Sequence, residues 1–337
     1  MNSDPSPINR RSFLQKSAGA GLFALAAGNL SSPGAQVSRF AYDVERFKRT
    51  DPSLIQYELV TRYAAPIEMP RGIAVDAQDQ VLVAGKTGVA VSDSTGARVK
   101  TLTCSGPARC VAVGADGTTY AGVQDHVEVF GSTGTPVRSW EAPGKKAWIT
   151  GLAVSQEGLF AADSGNRLIW RFDREGKVGG RLAEKNPDRE IPGLVVPSPY
   201  LGVKLGADGL LRVNNPGRHR VEVYTAEGDL ELFWGKPTAG ISGFCGCCNP
   251  ISLALLPDGR SVTCEKGLPR VKVYAADGTF ECVVAGPESF PKNAKAGSAR
   301  NPIDGTMGGL DVAVDSRGRI HVLDLVAEEI QVFQRKA

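Results

Sequence analysis

Four of the seven cysteines lie in two short segments of the chain, Cys245, Cys247 and Cys248 in the first and Cys264 in the second. Thiolates bind soft or borderline ions such as Cu(I), Zn²⁺ and the iron of iron–sulfur clusters. Lys266 follows Cys264 closely, and its charge would lower the pKa of a neighbouring thiol and favour metal binding or redox reactivity. These residues predict a thiolate-bound metal site.

His219 could add a nitrogen ligand, so the predicted ligand set is Cys245, Cys247, Cys248, Cys264 and His219. The Cys-x-Cys-Cys spacing matches no standard zinc-finger or ferredoxin signature. The spacing therefore does not identify the bound group, which could be an iron–sulfur cluster, copper or zinc. A structural or redox-active disulfide is the main alternative. Cys264 could bridge to Cys247 or Cys248 and contribute ~3 kcal/mol for a loop of this length. Unpaired thiols are the third possibility.

Catalytic motifs are scarce in the sequence. Glu265 and Lys266 are weak acid/base candidates, because an adjacent carboxylate and lysine in a turn are usually solvated. We find no Ser-His-Asp order, HExxH, P-loop or helix-linked GxGxxG motif. With three histidines in the chain, the sequence offers few ligands for a histidine-rich lyase site.

The remaining cysteines and histidines favour structural interpretations. Cys104 and Cys110 suggest a disulfide or lone thiols rather than a second metal site. Cys282 and His321 fall inside predicted strands and are expected to be packed. His126, next to an aspartate, is expected in a solvated turn.

Six segments of the chain share one pattern of apolar runs separated by turns. They start near residues 71, 109, 150, 201, 250 and 309, and most first hairpins carry Asp-Gly or a related turn. Four short strands repeated six times predict an all-β fold, a six-bladed β-propeller of four-stranded antiparallel blades. The sixth segment has three strands, and the spare strand at 56–63 is expected to complete that blade and close the ring.

The repeats resemble the NHL-repeat family, most closely at Ala161–Gly176 and Arg218–Gly228. The resemblance covers roughly residues 55–337, and residues 246–288 resemble a block found in exported bacterial NHL proteins. It implies the propeller fold. It does not imply one activity, because the family includes binding scaffolds, lyases and lactonase-like enzymes.

The repeat also predicts where the candidate site lies. If strands a to d of each blade run outward from the channel, the d-to-a connections and b-to-c turns emerge on one face. The 245–248 loop enters blade 5, Cys264 and Glu265 end its strand b, and His219 lies in the b–c turn of blade 4. We therefore expect these residues to meet near the channel mouth, next to long loops at 183–199, 236–248 and 287–306.

The N-terminus resembles a twin-arginine (Tat) export signal. Arg10 and Arg11 precede Ser12, Phe13 and Leu14, and a Gly/Ala-rich apolar stretch follows. We predict a signal peptide over 1–35, a single NHL-like propeller domain over 36–337, and export to the periplasm. No stable membrane span is expected beyond the signal segment.

The charge pattern bears on partners. The formal net charge is +3, with no basic stripe of the kind that binds nucleic acid. We expect a monomer with a periplasmic protein or redox partner.

The residues thus predict an exported propeller with a cysteine-rich site that binds a metal or cluster for redox chemistry or metal handling. One alternative is a non-catalytic scaffold that binds protein or glycan and is stabilised by disulfides. The other is a hydrolase or lyase that uses Glu265 and Lys266.

Overall fold

The structure, a computed structural model, describes residues 45–93, 95–295 and 308–337. The predicted signal peptide and residues 296–306 of the third long loop lie outside the described residues. The described chain forms six four-stranded antiparallel sheets. They are the six blades of a β-propeller, which confirms the predicted fold.

Blades 1 to 3 follow one another in the chain. Their strands, from the channel outward, are β2 Gly72–Val75, β3 Val81–Gly85, β4 Gly88–Ser92 and β5 Arg98–Thr103; β6 Ala108–Val113, β7 Thr119–Val123, β8 His126–Phe130 and β9 Pro136–Ser139; β10 Ile149–Val154, β11 Gly158–Asp163, β12 Leu168–Asp173 and β13 Val178–Leu182.

Blades 4 to 6 continue the pattern, and the N-terminal strand β1 joins the last of them. The strands are β14 Val203–Leu205, β15 Leu211–Asn215, β16 Arg220–Tyr224 and β17 Leu230–Trp234; β18 Ser252–Leu255, β19 Ser261–Cys264, β20 Val271–Tyr274 and β21 Phe280–Ala285; β22 Leu310–Val314, β23 Ile320–Asp324, β24 Glu329–Arg335 and β1 Tyr57–Ala64.

The ring closes where the sequence predicted. Strand β1 pairs antiparallel with β24, from Tyr57 opposite Arg335 to Ala64 opposite Glu329. The N-terminal strand thereby supplies the outermost strand of blade 6 and covers the edge that β24 would otherwise expose.

Little of the described chain is helical. Five 3-10 turns cover Glu45–Phe47, Pro52–Leu54, Pro187–Arg189, Pro216–Arg218 and Pro287–Ser289, and one α-helix, α1, covers Pro291–Lys295. No described helix has the length and apolar character needed to cross a membrane.

Apolar side chains fill the spaces between neighbouring blades. One cluster, for example, joins Val262 and Val273 of blade 5 to Val312 and Val322 of blade 6, all fully buried. The middle strands are buried on both faces, whereas an outer strand such as β9 is exposed throughout. The tight hairpins rely on glycine; Gly259 has φ +85°, a conformation that disfavours residues with a Cβ.

Candidate functional site

The cysteine loop starts from a buried aromatic anchor. Phe244 is fully buried, and its ring lies 5.7 Å from that of Tyr274 and 6.3 Å from that of Trp234. Aromatic pairs at such distances contribute more to stability than their buried area alone would provide. The anchor fixes the point at which the following residues, Cys245 to Cys248, leave the core.

Glu265 holds the next residue of the loop. Its carboxylate accepts a hydrogen bond from the backbone N–H of Cys245 at 2.9 Å. Arg270 donates to both carboxylate oxygens, each at 2.9 Å, and the ammonium of Lys272 lies 2.9 Å from one of them. Neither Glu265 nor Lys272 is exposed, and Arg270 is 2% exposed. This buried ion-pair network connects blade 5 to the cysteine loop.

The network is covered by the long loop at 236–248. Arg270 donates to the carbonyl of Ala239, and Lys272 donates to the carbonyls of Ile241 and Gly243. The Lys272 ammonium also lies 4.5 Å from the centre of the Phe244 ring. Burial lowers the pKa of Lys272 to about 8, although the carboxylate of Glu265 opposes that shift.

Asn249 closes the other end of the cysteine loop. Its side-chain amide donates to the carbonyl of Cys245 at 2.7 Å and to that of Lys266 at 3.0 Å, and its side-chain oxygen accepts from the Lys266 N–H at 2.9 Å. The peptide bond between Asn249 and Pro250 is cis. Asn249 therefore connects the loop to the b–c turn of blade 5, which satisfies polar groups of both segments.

Two thiols of this loop lie side by side, one exposed and one buried. The sulfur atoms of Cys247 and Cys248 are 3.3 Å apart, and Cys247 is exposed whereas Cys248 is buried. The pKa of Cys247 is raised, first by the hydrogen bond with the Cys248 thiol and then by partial burial. Lys266 lowers this pKa, as the sequence predicted, but its effect is the smaller one.

The other two predicted cysteine ligands lie in the interior. Burial raises the pKa of Cys245 to about 11, with a further contribution from Glu265, and it raises the pKa of Cys264 well above its usual value. Cys264 packs among apolar residues between blades 5 and 6. All cysteines are free thiols in this structure, and the predicted bridges from Cys264 to Cys247 or Cys248 stay predictions.

His219 reaches the loop from blade 4. It has φ +55° and directs its Nε2 to the carbonyl of Gly246 at 2.7 Å. The b–c turn of blade 4 thus contacts the 245–248 loop, as the repeat predicted. In the described part of the chain, however, no three His, Cys, Asp or Glu side chains converge closely enough to hold a metal ion.

The two weak catalytic candidates have different surroundings. Glu265 forms buried ion pairs with Arg270 and Lys272, so the geometry favours a structural role, and its catalytic role stays a prediction. Lys266 places its ammonium 4.6 Å from the centre of the Tyr200 ring and 3.3 Å from the hydroxyl of Ser198. Because Tyr200 lines the central cavity, Lys266 lies between the cysteine loop and the channel mouth.

The residues that the sequence interpretation missed are Asn249, Arg270 and Lys272. One pattern in the sequence points to them: Arg270 and Lys272 follow Glu265 closely, just before and within an apolar strand, where a buried charge needs a partner. The shared pairing of Arg270 and Lys272 with the Glu265 carboxylate could have been inferred from this spacing.

The remaining candidates, three cysteines and two histidines, lie away from the cysteine loop in sequence. Cys282 is buried in β21, and His321 is buried in β23 with Nε2 3.1 Å from Asp315. His126 lies 2.9 Å from Asp125 and 3.4 Å from Glu128. Burial raises the pKa values of Cys104 and Cys110 to about 12. These surroundings are those of packed thiols and a buried imidazole. His126 does not lie in a solvated turn as predicted but begins strand β8, and its side chain is 21% exposed.

No family model and no curated protein matches the sequence. Solved structures match the fold. A streptogramin B lyase has a TM-score of 0.55 at 13% identity over 83% of this chain and 98% of that chain. Virginiamycin B lyase from Staphylococcus aureus has a TM-score of 0.54 at 13% identity, over 83% and 100%.

A protein of unknown function from Bacteroides thetaiotaomicron has a TM-score of 0.55 at 15% identity, covering 83% of this chain and 72% of that chain. At these identities the similarity shows the propeller fold alone. The lyase activity in two of the names belongs to those proteins.

Proposed function

We propose that this protein is an exported β-propeller that binds a thiophilic metal ion through Cys247 and Cys248 on its channel-mouth face. The observation that carries the proposal is the pair of sulfur atoms 3.3 Å apart with Cys247 exposed to solvent. Export rests on the twin-arginine segment of the sequence, and the function we favour is metal handling.

The number of thiols available as ligands restricts which metal ion could bind. Structural zinc and iron–sulfur clusters use four ligands, mostly thiolates, whereas in the part of the chain that the structure describes this loop brings two sulfur atoms together, those of Cys247 and Cys248. Cys245 and Cys264 are buried, with pKa values that favour the neutral thiol. Two thiolates suit a soft ion of low coordination number such as Cu(I). His219 could supply a third ligand by releasing the Gly246 carbonyl.

The surrounding residues hold the two sulfurs in place. Asn249 and the Glu265 network fix both ends of the loop before any ion arrives, which lowers the ordering cost of binding. Lys266 lowers the pKa of Cys247, although the hydrogen bond with Cys248 and partial burial raise it by more. Binding requires that Cys247 and Cys248 give up their protons to solvent.

We predict that protein purified after export, loaded with Cu(I) under reducing conditions, retains about one equivalent of metal per chain. Cys247→Ser with Cys248→Ser should abolish retention, because both proposed ligands are lost. Elemental mass spectrometry together with thiol counting in denaturant measures both quantities.

The matched control is Cys282→Ser, which removes a thiol buried in β21 away from the loop and should retain the metal. Full occupancy in the double variant would contradict the proposal. A metal-free wild-type protein with intact thiols would instead favour the binding-scaffold alternative.

A further inference from the structure

The two thiols of the cysteine loop differ in how solvent reaches them. Of the seven cysteines, all of which the structure describes, Cys247 alone is exposed, and Cys248 is buried. The sulfur of Cys248 nevertheless lies 3.3 Å from that of Cys247. A dissolved oxidant therefore reaches Cys247 first and finds a second thiol directly behind it.

The loop keeps these two sulfur atoms together through contacts that do not involve them. Glu265 accepts from the N–H of Cys245, and Asn249 donates to the carbonyl of the same residue. Gly246 has φ +75°, and its carbonyl lies 2.7 Å from Nε2 of His219. Because the backbone is held on both sides, a reaction between the two sulfurs is effectively unimolecular and gains from their proximity.

A bond between the two sulfur atoms would be strained. They would have to approach from 3.3 Å to about 2.05 Å. Consecutive Cα atoms are about 3.8 Å apart across a trans peptide bond, which is below the roughly 4.4–6.8 Å of most disulfides. Strained and exposed disulfides are easily reduced and are the ones used in regulation. The pair therefore suits a reversible bond rather than a permanent one.

We propose that Cys247 and Cys248 form a reversible disulfide with each other, and that this bond switches off metal binding by the loop. The second part rests on the proposed function, because a disulfide offers no thiolate to a soft ion. The bond differs from the bridges that the sequence predicted from Cys264, whose thiol packs among apolar residues between blades 5 and 6.

The oxidant in this proposal is a small disulfide such as oxidised glutathione, and the reaction balances as two thiol–disulfide exchanges. The Cys247 thiolate attacks one sulfur of oxidised glutathione, breaks its S–S bond and releases one glutathione. The Cys248 thiolate then attacks the Cys247 sulfur of the mixed disulfide and releases the second glutathione. Two protein thiols are oxidised, one glutathione disulfide is reduced, and the two glutathione thiolates take up the two protons.

Mass spectrometry of the folded protein after treatment with oxidised glutathione tests the proposal. The wild type should lose the mass of two hydrogen atoms, and two of its seven thiols should no longer react with N-ethylmaleimide in denaturant. Dithiothreitol should restore both. Fragmentation of the peptide that contains the cysteine loop identifies which two residues are joined.

Single variants separate the roles of the two thiols. Cys248→Ser should stop at the mixed disulfide between Cys247 and glutathione, because the second thiol is missing. Cys247→Ser should stay unmodified at this loop, because Cys248 is buried. Cys282→Ser is the matched control, since it removes a buried thiol from β21, and it should react like the wild type. Circular dichroism establishes that each variant is folded.

Metal retention provides a second readout. Cu(I), supplied without oxygen as its acetonitrile complex and without thiol reductant, should be retained at least tenfold less by the oxidised protein than by the reduced protein. A reduced protein that retains no metal would contradict the metal site alone, because mass spectrometry measures the disulfide independently of any ion.

Three outcomes would overturn the redox proposal. The wild type keeps all its thiols in oxidised glutathione, or the new bond joins a pair other than Cys247 and Cys248, or the oxidised protein retains as much Cu(I) as the reduced protein.

Discussion

At the residue scale, Glu265 has the most consequential surroundings in the site. One carboxylate without solvent exposure compensates two buried cations, Arg270 and Lys272, and also accepts from the backbone of Cys245. A buried ion pair adds little net stability when whole, yet removing one partner leaves an uncompensated charge. Glu265 therefore determines both the stability of blade 5 and the position of the cysteine loop.

Glu265→Gln should destabilise the protein by about 3–5 kcal/mol, because Arg270 and Lys272 would stay buried without a carboxylate. Urea unfolding followed by circular dichroism measures the change. Glu68→Gln is the control, since it breaks an ion pair with Lys86 that is exposed to solvent. Equal stability of the Glu265→Gln variant and the wild type would mean that the network contributes nothing.

The reactivity of Cys247 should depend on its neighbour. The hydrogen bond with Cys248 raises the pKa of Cys247, so less thiolate is present at any pH below that pKa, and alkylation by iodoacetamide should accelerate into the alkaline range. Cys248→Ser replaces the thiol partner and should shift this pH profile to lower pH. Mass spectrometry of the peptide containing Cys247 follows the rate. A profile shifted to higher pH would contradict the inferred role of Cys248.

At the element scale, β1 is the strand whose loss should matter most. Its first residue, Tyr57, is 3% exposed and packs in the cluster between blades 5 and 6, whereas Leu59 on the same strand is 45% exposed. The strand therefore joins blade 6 both by its hydrogen bonds to β24 and by one inserted aromatic side chain.

Tyr57→Ala should lower the free energy of unfolding by about 3 kcal/mol or more, because it leaves a cavity under the outer strand of blade 6. Leu59→Ala removes an apolar side chain from the same strand at an exposed position and should cost well under half as much. Chemical denaturation of both variants checks the difference. Similar losses would show that β1 is held by its backbone alone.

At the scale of the whole molecule, the repeat allowed the blade number and the closing strand to be predicted, because hairpin turns recur at fixed positions in each unit. The same register placed His219 beside the cysteine loop. The repeat register could not predict that Glu265 is buried, because a residue at the end of a strand faces solvent unless another segment covers it. The covering segment, the loop at 236–248, has no repeat pattern from which its path could be inferred.

The pairing of β1 with β24 also constrains how the molecule is made. Tyr57 leaves the ribosome early in synthesis, but its partner Arg335 is added 278 residues later. Blade 6 cannot be completed during most of translation, so β1 stays unpaired until β24 has been made. The final pairing joins distant parts of the chain, and such non-local contacts form slowly. Nascent chains should therefore expose the edge of β1 until the end of synthesis and depend on protection from aggregation during that interval.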